Sequence, residues 1–492
     1  MIKSRNVRTV CLLVCGMMLA GSLTGCKSGS AGSDPASGTD AEEKTGQAQT
    51  TTNEIDSEEA TRKNVEKIAE ELKRKYQQNS GDEAIGLEYA QTLYTLGNFE
   101  ESREIVSSLL NKESISPEAI YFSAELEYLN GNYEKAEEQY KILTKEYYDD
   151  YGLAAEAGLQ MVYYQTNEYS KAKELFVGQD LENPMLDMMK AFDDTPYQID
   201  WKGEVETTIP FVTTDPLPVV PIEINGERIN AFIDTGGSTL IVDGAIAADL
   251  GIETISNDSG AVAGGDIDFA FGKIDSMKLG DVDIENIPVT LVSFEGISYV
   301  FEGYATNVHA IIGTNVLQQF IPIMDYPSGQ LTLIQRDMTG EAQLSGLLAN
   351  DTILEEVPFT LASTHFMFAR GSINGKSGLN MFVDSGGADD KGAGIFVYKK
   401  TMDLLNIPLP DEMTNASGVG ESDFAQGWFD LASYGLGNLQ MEQGIGMYDT
   451  SGHSDDLIDT TGFFGDALIS HNYLKQYKWT IDFDSMTMTF SK

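Results

Sequence analysis

The sequence predicts a multidomain chain, an all-α block of helical repeats followed by an all-β region built as two related lobes. Three observations carry this. A seven-residue pattern in the N-terminal half returns after 34 residues. From about residue 200, helical periodicity gives way to glycine-rich, alternating strands. Within that second region one strand–turn–strand frame occurs twice. The length of 492 residues already exceeds one ordinary domain.

Composition narrows the partners. With 32 Lys plus Arg against 77 Asp plus Glu, the formal net charge is −45. Such a surface repels phosphate backbones and anionic head groups, so neither nucleic acid nor a polybasic membrane contact is expected. Hydrophobic residues make up 41 % and aromatics 10 %, enough to bury real cores, which excludes whole-chain disorder.

Lys3, Arg5 and Arg8 precede a short apolar stretch, Val10 to Ala20, which suits a signal peptide and is too brief to span a bilayer as a helix. Leu23-Thr24-Gly25-Cys26 follows and resembles the lipobox of bacterial lipoproteins. The resemblance implies that residues 1–25 are removed and that the Cys26 thiol carries lipid. The protein would then sit outside the cytoplasm, anchored to a bacterial membrane. Cys11 and Cys15 would leave with the signal, so no disulfide is expected. Residues 26–55 are Ser, Gly, Thr, Ala, Asp, Glu and Gln with almost no large apolar side chain, and read as a disordered tether.

Residues 56–180 read as helical. Asp56 with Glu59 predicts a capping box, and Val65, Ile68, Leu72 and Tyr76 recur on one helical face. Leu96-Gly97-Asn98-Phe99-Glu100-Glu101-Ser102 is echoed 34 residues later by Asn130-Gly131-Asn132-Tyr133-Glu134-Lys135-Ala136. A weaker third copy, Thr166-Asn167-Glu168-Tyr169-Ser170-Lys171-Ala172, is displaced by 36. Ala90 and Ala124 stand twelve residues before Ser102 and Ala136, so small residues would let paired helices pack closely. Period and pattern resemble tetratricopeptide repeats. Two roles stay open: a groove for a protein partner, or a spacer holding the next domain.

Residues 181–204 read as a linker, 205–345 as the first lobe and 346–492 as the second. In the first, an Asn225-Gly226 hairpin turn leads to a strand, Ile229 to Ile233, that ends at Asp234-Thr235-Gly236-Gly237-Ser238. In the second, Asn374-Gly375 leads to Leu379 to Val383 and then Asp384-Ser385-Gly386-Gly387. Each copy has a glycine-rich stretch with aromatics, containing Phe269 and Phe271 in one and Phe424 and Trp428 in the other. Each closes on two hydrophobics and a glycine, Ile311-Ile312-Gly313 and Phe463-Phe464-Gly465. Phe320 to Asp325 and Tyr477 to Asp482 then repeat one spacing.

A strand ending in Asp-Thr/Ser-Gly, a glycine-rich hairpin and a closing hydrophobic pair with glycine resemble the lobes of aspartic proteases, in detail the bacterial retropepsin-like aspartyl proteases. The resemblance implies two closed β-barrel lobes within one chain, so the active unit would be a monomer. It implies Asp234 and Asp384 as the catalytic pair. Two carboxylates held together cannot both ionise, so they share a proton, and one can take a proton from water while the other gives one to the peptide carbonyl. Thr235 and Ser385 would brace the two loops, Gly236 and Gly386 would bring backbone N–H groups to the carboxylates, and Gly313 and Gly465 would lie beneath the loops. The glycine-rich hairpins would be flaps that exclude water. Gly237 and Gly387 follow the triplets where pepsin-like lobes carry a hydroxyl, which points to a less acidic optimum. Asp389, Asp390 and Lys391 add charge beside the second aspartate.

No cofactor and no metal is expected, because His309, His365, His453 and His471 show no metal spacing. The function expected is an extracytoplasmic, membrane-anchored aspartic endopeptidase acting on peptides or proteins. The alternative is a non-catalytic peptide-binding adaptor or sensor that uses the same cleft and the repeats.

Overall fold

The computed structural model describes residues 11–13, 61–111, 115–178, 183–262, 265–295, 307–416, 424–451 and 461–492. Cys26, most of residues 1–55, Asp56, Glu59 and His453 lie outside the described residues.

Among the described residues eight α-helices precede the β region: α1 (Arg62–Gln78), α2 (Glu83–Thr95), α3 (Phe99–Leu110), α4 (Pro117–Leu129), α5 (Tyr133–Glu146), α6 (Leu153–Gln165), α7 (Tyr169–Leu175) and α8 (Pro184–Lys190). Thr61 caps α1 by accepting from the Asn64 N–H. Val65, Ala69 and Leu72 form its buried face, while Ile68, expected among them, is exposed. The expected close approach of paired helices is present. Ala90, Ala124, Ala136 and Ser102 have no exposed surface, and the Ser102 hydroxyl donates to the Ala90 carbonyl at 2.7 Å. The turn residues Gly97, Gly131 and Asn167 have φ of 75°, 73° and 59°. Asn is the non-glycine residue best suited to that left-handed conformation, which is why the third copy works without glycine. The span read as a linker, 181–204, is not bare: it contains α8 and a strand, Gln198–Asp200, that pairs with Val282–Val292.

The β region is a duplication. In the first lobe, strands 240–243, 308–312, 227–233 and 219–224 lie side by side, with 308–312 parallel to 227–233 and antiparallel to 240–243. In the second, strands 395–397, 467–469, 376–383 and 366–373 repeat that order and those directions. Asn225 and Asn374 both have φ of 49° and are followed by positive-φ glycines, the conformation a two-residue hairpin with the sheet's twist requires. Six antiparallel strands join the lobes in the order 353–362, 487–491, 478–482, 320–325, 330–335, 206–210, three from each half. The join itself is the pairing of 320–325 with 478–482. One hydrophobic cluster, containing Ile233, Leu240, Ile312, Val383, Ile395, Ile469, Trp479 and Phe490, runs through both lobes.

The helices do not stand apart from the lobes. Residues of α4 to α8 share a continuous apolar cluster with Phe232, Ile241, Ile311, Phe269 and Phe271 of lobe 1. Residues of α1 to α4 share another with Phe382, Phe396, Leu468 and Phe463 of lobe 2. The three echoed turns are contact points: Gly97 faces Asn380, Gly131 faces Met486, and Asn167 donates to Gln319 at 2.9 Å.

Candidate active site

Each aspartate stands where a central strand ends. Ile233 and Val383 point into the shared core, so the next residue turns to the opposite face, on which Phe232 and Phe382 also lie. The Asp234 N–H donates to Ile312 O at 3.0 Å, and the Asp384 N–H donates to Ile469 O at 2.9 Å. Both side chains have no exposed surface.

The two loops brace each other through four reciprocal hydrogen bonds. The Thr235 hydroxyl donates to Val383 O at 2.8 Å and accepts from the Ser385 N–H at 3.0 Å. The Ser385 hydroxyl donates to Ile233 O at 3.0 Å and accepts from the Thr235 N–H at 3.0 Å. Each hydroxyl satisfies one donor and one acceptor of the other lobe, so the pair registers the lobes without burying an orphan. Gly236 N–H donates to Asp234 Oδ1 and Gly386 N–H to Asp384 Oδ1, both at 2.7 Å. A Cβ on Gly386 would stand 2.3 Å from Asp234 Cγ, and one on Gly236 would stand 2.8 Å from Asp384 Cγ. Each triplet's glycine is thus required by the other lobe's carboxylate.

Burial raises the pKa of Asp234 well above its ordinary value, and the charge of Asp384 beside it raises it further, against the lowering effect of the Gly236 and Gly237 N–H groups. Burial also pushes Asp384 up, to about 6, against the hydrogen bond with Asp234 and the Gly386 and Gly387 N–H groups. The pair titrates as one unit. Asp234 Oδ2 is buried without a hydrogen-bond partner among the described residues.

The closing motifs differ from the sequence reading. Gly313 lies beneath the first loop: its N–H donates to Thr239 O at 3.0 Å, and a Cβ there would come 2.4 Å from that oxygen. Gly465 does not take this place in lobe 2. The strand parallel to 376–383 is Ala467–Ile469, so the residue corresponding to Gly313 is Ser470. Ser470 is fully buried and its hydroxyl donates to Ala393 O at 2.7 Å, so a side chain is accommodated by the longer loop of this lobe. Phe463 and Phe464 instead meet the helices: Phe463 packs on Phe99 with ring centroids 4.9 Å apart, and the Phe464 N–H donates to Thr95 O at 3.0 Å. A constant spacing would have revealed this, since Gly313 to Phe320 and Ser470 to Tyr477 are both seven residues.

Of the additional charges of lobe 2, Asp389 and Lys391 are committed to structure, while Asp390 is exposed. Asp389 accepts from the Lys391 and Ala393 N–H groups at 2.8 and 2.6 Å and from the Trp428 indole at 2.9 Å. Asn472 also donates to it, at 3.2 Å. Lys391 Nζ lies 3.4 Å above the Trp428 ring. Phe269, Phe271 and Phe424 are buried, whereas Trp428 is partly open. His365 and His471 are buried, and burial lowers them to about 3 and about 4, so both are neutral. Among the described residues no group of His, Cys, Asp and Glu is arranged to hold a metal.

Residues 220–316 match the family model of the aspartyl proteases. The matched segment contains Asp234, the first brace and Gly313. The aspartyl-protease match ends before the second lobe, whose correspondence rests on the repeated strand order. Among solved structures, that of a retropepsin-like aspartic protease from Rickettsia conorii aligns at 18 % identity with a TM-score of 0.21, covering 28 % of this chain and 95 % of that one. No curated protein matches.

Proposed function

We propose that the chain is an aspartic endopeptidase in which Asp234 and Asp384 activate a water for attack on a peptide carbonyl. The observation that carries this reading is the reciprocal brace of Thr235 and Ser385, which sets the two buried carboxylates against each other at the junction of two duplicated lobes. One shared proton lets the ionised carboxylate take a proton from water while its protonated partner donates to the carbonyl oxygen. Asp234 Oδ2, without a hydrogen-bond partner among the described residues, is the oxygen left to hold that water. The strand Gly387–Asp389 pairs antiparallel with Cys11–Leu13, which supports an extended peptide binding along this edge. With cleavage before Cys26 and lipid on its thiol, the leader would depart, the edge would open to substrate, and the folded body would remain tethered outside the cytoplasm. Both aspartates come from one chain, so the monomer is the active unit.

The test is cleavage of a diverse peptide mixture by the chain from Lys27 onward, read by mass spectrometry from acid to neutral pH. Asp234→Asn and Asp384→Asn should each reduce cleavage by at least about 10³-fold, the scale on which a paired catalytic group is lost. Cleavage that survives either substitution would sink the reading. No cleavage by the folded parent would leave the cleft as a peptide-binding site.

A further inference from the structure

We propose that Gln165, the last residue of α6, is a positioning residue for the dyad, so that the helices are a third part of the catalytic unit rather than a spacer or a free partner groove. This rests on the peptidase reading. Gln165 is buried where the two lobes meet. Its side-chain oxygen accepts from Asn315 at 3.2 Å and Gln318 at 3.1 Å, both in lobe 1, and its side-chain nitrogen donates to Thr364 O in lobe 2 at 3.0 Å. Asn315 also donates to Thr364 O at 3.0 Å and is met by the Tyr164 hydroxyl at 3.2 Å. From there the path to the catalytic loop is short. The Asn315 N–H donates to Ser238 O at 2.7 Å, the Thr314 N–H to Gly237 O at 2.8 Å, and the Thr314 hydroxyl to Thr235 O at 2.9 Å. A primary amide carries an acceptor and a donor on one planar group, which this junction uses in both lobes at once. At the corresponding position of lobe 2, Asn472 donates instead to Asp389 and Ala393 of its own lobe. The side-chain path from a helix to the catalytic loop is therefore particular to the Asp234 loop.

The test uses the full chain with Gln165→Met, which keeps the length and removes both hydrogen-bonding atoms, and Gln165→Glu, which keeps the acceptors and removes the donor. Asn167→Gly, which removes a contact to lobe 1 alone and keeps the turn, is the control. Both Gln165 variants should lower kcat about tenfold with KM within about twofold, while the control stays at the parent value. Hydrogen–deuterium exchange should quicken in peptides covering 233–239 and stay unchanged in those covering 384–390. Parent-like kcat together with unchanged exchange at 233–239 overturns the proposal, and so does an equal loss in Asn167→Gly. If Gln165→Met does not fold, Asn315→Asp, which removes the donor to Thr364, takes its place in both readouts. If the parent cleaves nothing, the peptidase reading fails, and the exchange comparison alone decides whether Gln165 positions the loop.

Discussion

Lobe 1 and lobe 2 hold their aspartates by the same strand order, yet support the loops behind them with different chemistry. Lobe 1 has Gly313 pressed against Thr239 O and relies on the Thr314–Asn315–Gln165 path into the helices. Lobe 2 has Ser470 in the corresponding place and an inserted stretch in which Asp389 gathers the Lys391 and Ala393 N–H groups, Trp428 and Asn472. The loop geometry is what the dyad needs, and it can be reached by an outside support or by an internal one.

Removing the helices should have the largest effect and should fall on both lobes. Deleting 62–190 uncovers the apolar faces around Phe232 and Phe382 together, so the remainder should aggregate or unfold rather than become a more open peptidase. A stable, monomeric remainder by light scattering would break the claim that the helices belong to the same folded unit. Next in size is Gly313→Ala, whose Cβ meets backbone oxygens at 2.4 and 2.6 Å. It should cost about 2–4 kcal/mol in denaturant unfolding, within the range for overpacking and backbone displacement. Ser470→Gly in the other lobe should cost about 1 kcal/mol, one hydrogen bond plus glycine's added unfolded-state freedom. Equal costs would mean that the two positions are not counterparts in the way the strand pairing indicates.

The dyad's titration adds a pH dependence with a definite sign. The Asp384 carboxyl is raised from 3.8 to about 6, so within that window the folded chain binds more protons than the unfolded one, and stability falls as pH rises. Asp384→Asn should therefore be more stable than the parent at pH 7 by about 1–3 kcal/mol, with the gain vanishing below pH 4. The upward shift of both carboxyls places the expected optimum for cleavage above the strongly acidic range. An optimum near pH 3 would contradict the raised pKa values that burial gives both carboxyls. The smallest expected effect is at the edge of lobe 2. Asp389→Asn should keep the fold, blue- or red-shift Trp428 fluorescence and lower kcat less than Gln165→Met does, since Lys391 and Asn472 still hold the inserted loop.

The duplicated frame was legible because its parts are local. Asn-Gly turns and strands that end in Asp-Thr/Ser-Gly follow from residues adjacent in the chain, whereas the brace between Thr235 and Ser385, 150 residues apart, was expected only from the resemblance. The repeated pattern of the helical turns was legible for the same reason, while the positive-φ position that Gly97, Gly131 and Asn167 share is visible only in the folded chain. What escaped was long-range. The hydrophobic pair before Gly465 copies the first lobe, but a parallel strand pairing decides the position, and that pairing selects Ile469 and hence Ser470. Gln165 ends a helix with no local sign of purpose, and its partners lie about 150 to 200 residues away. The acidic insertion looked like charge available to perturb the dyad, but the N–H groups that consume Asp389 become visible only once the loop is folded.

The sheet that joins the lobes also sets an order of events. Strand 320–325 waits for 478–482, and the Thr235 brace waits for Ser385, 150 residues further along. A chain emerging N-terminus first thus presents its helices, then one aspartate, and has no proton-sharing pair until the second lobe has arrived and docked. On the proposed peptidase reading, such a chain would be silent throughout its own synthesis.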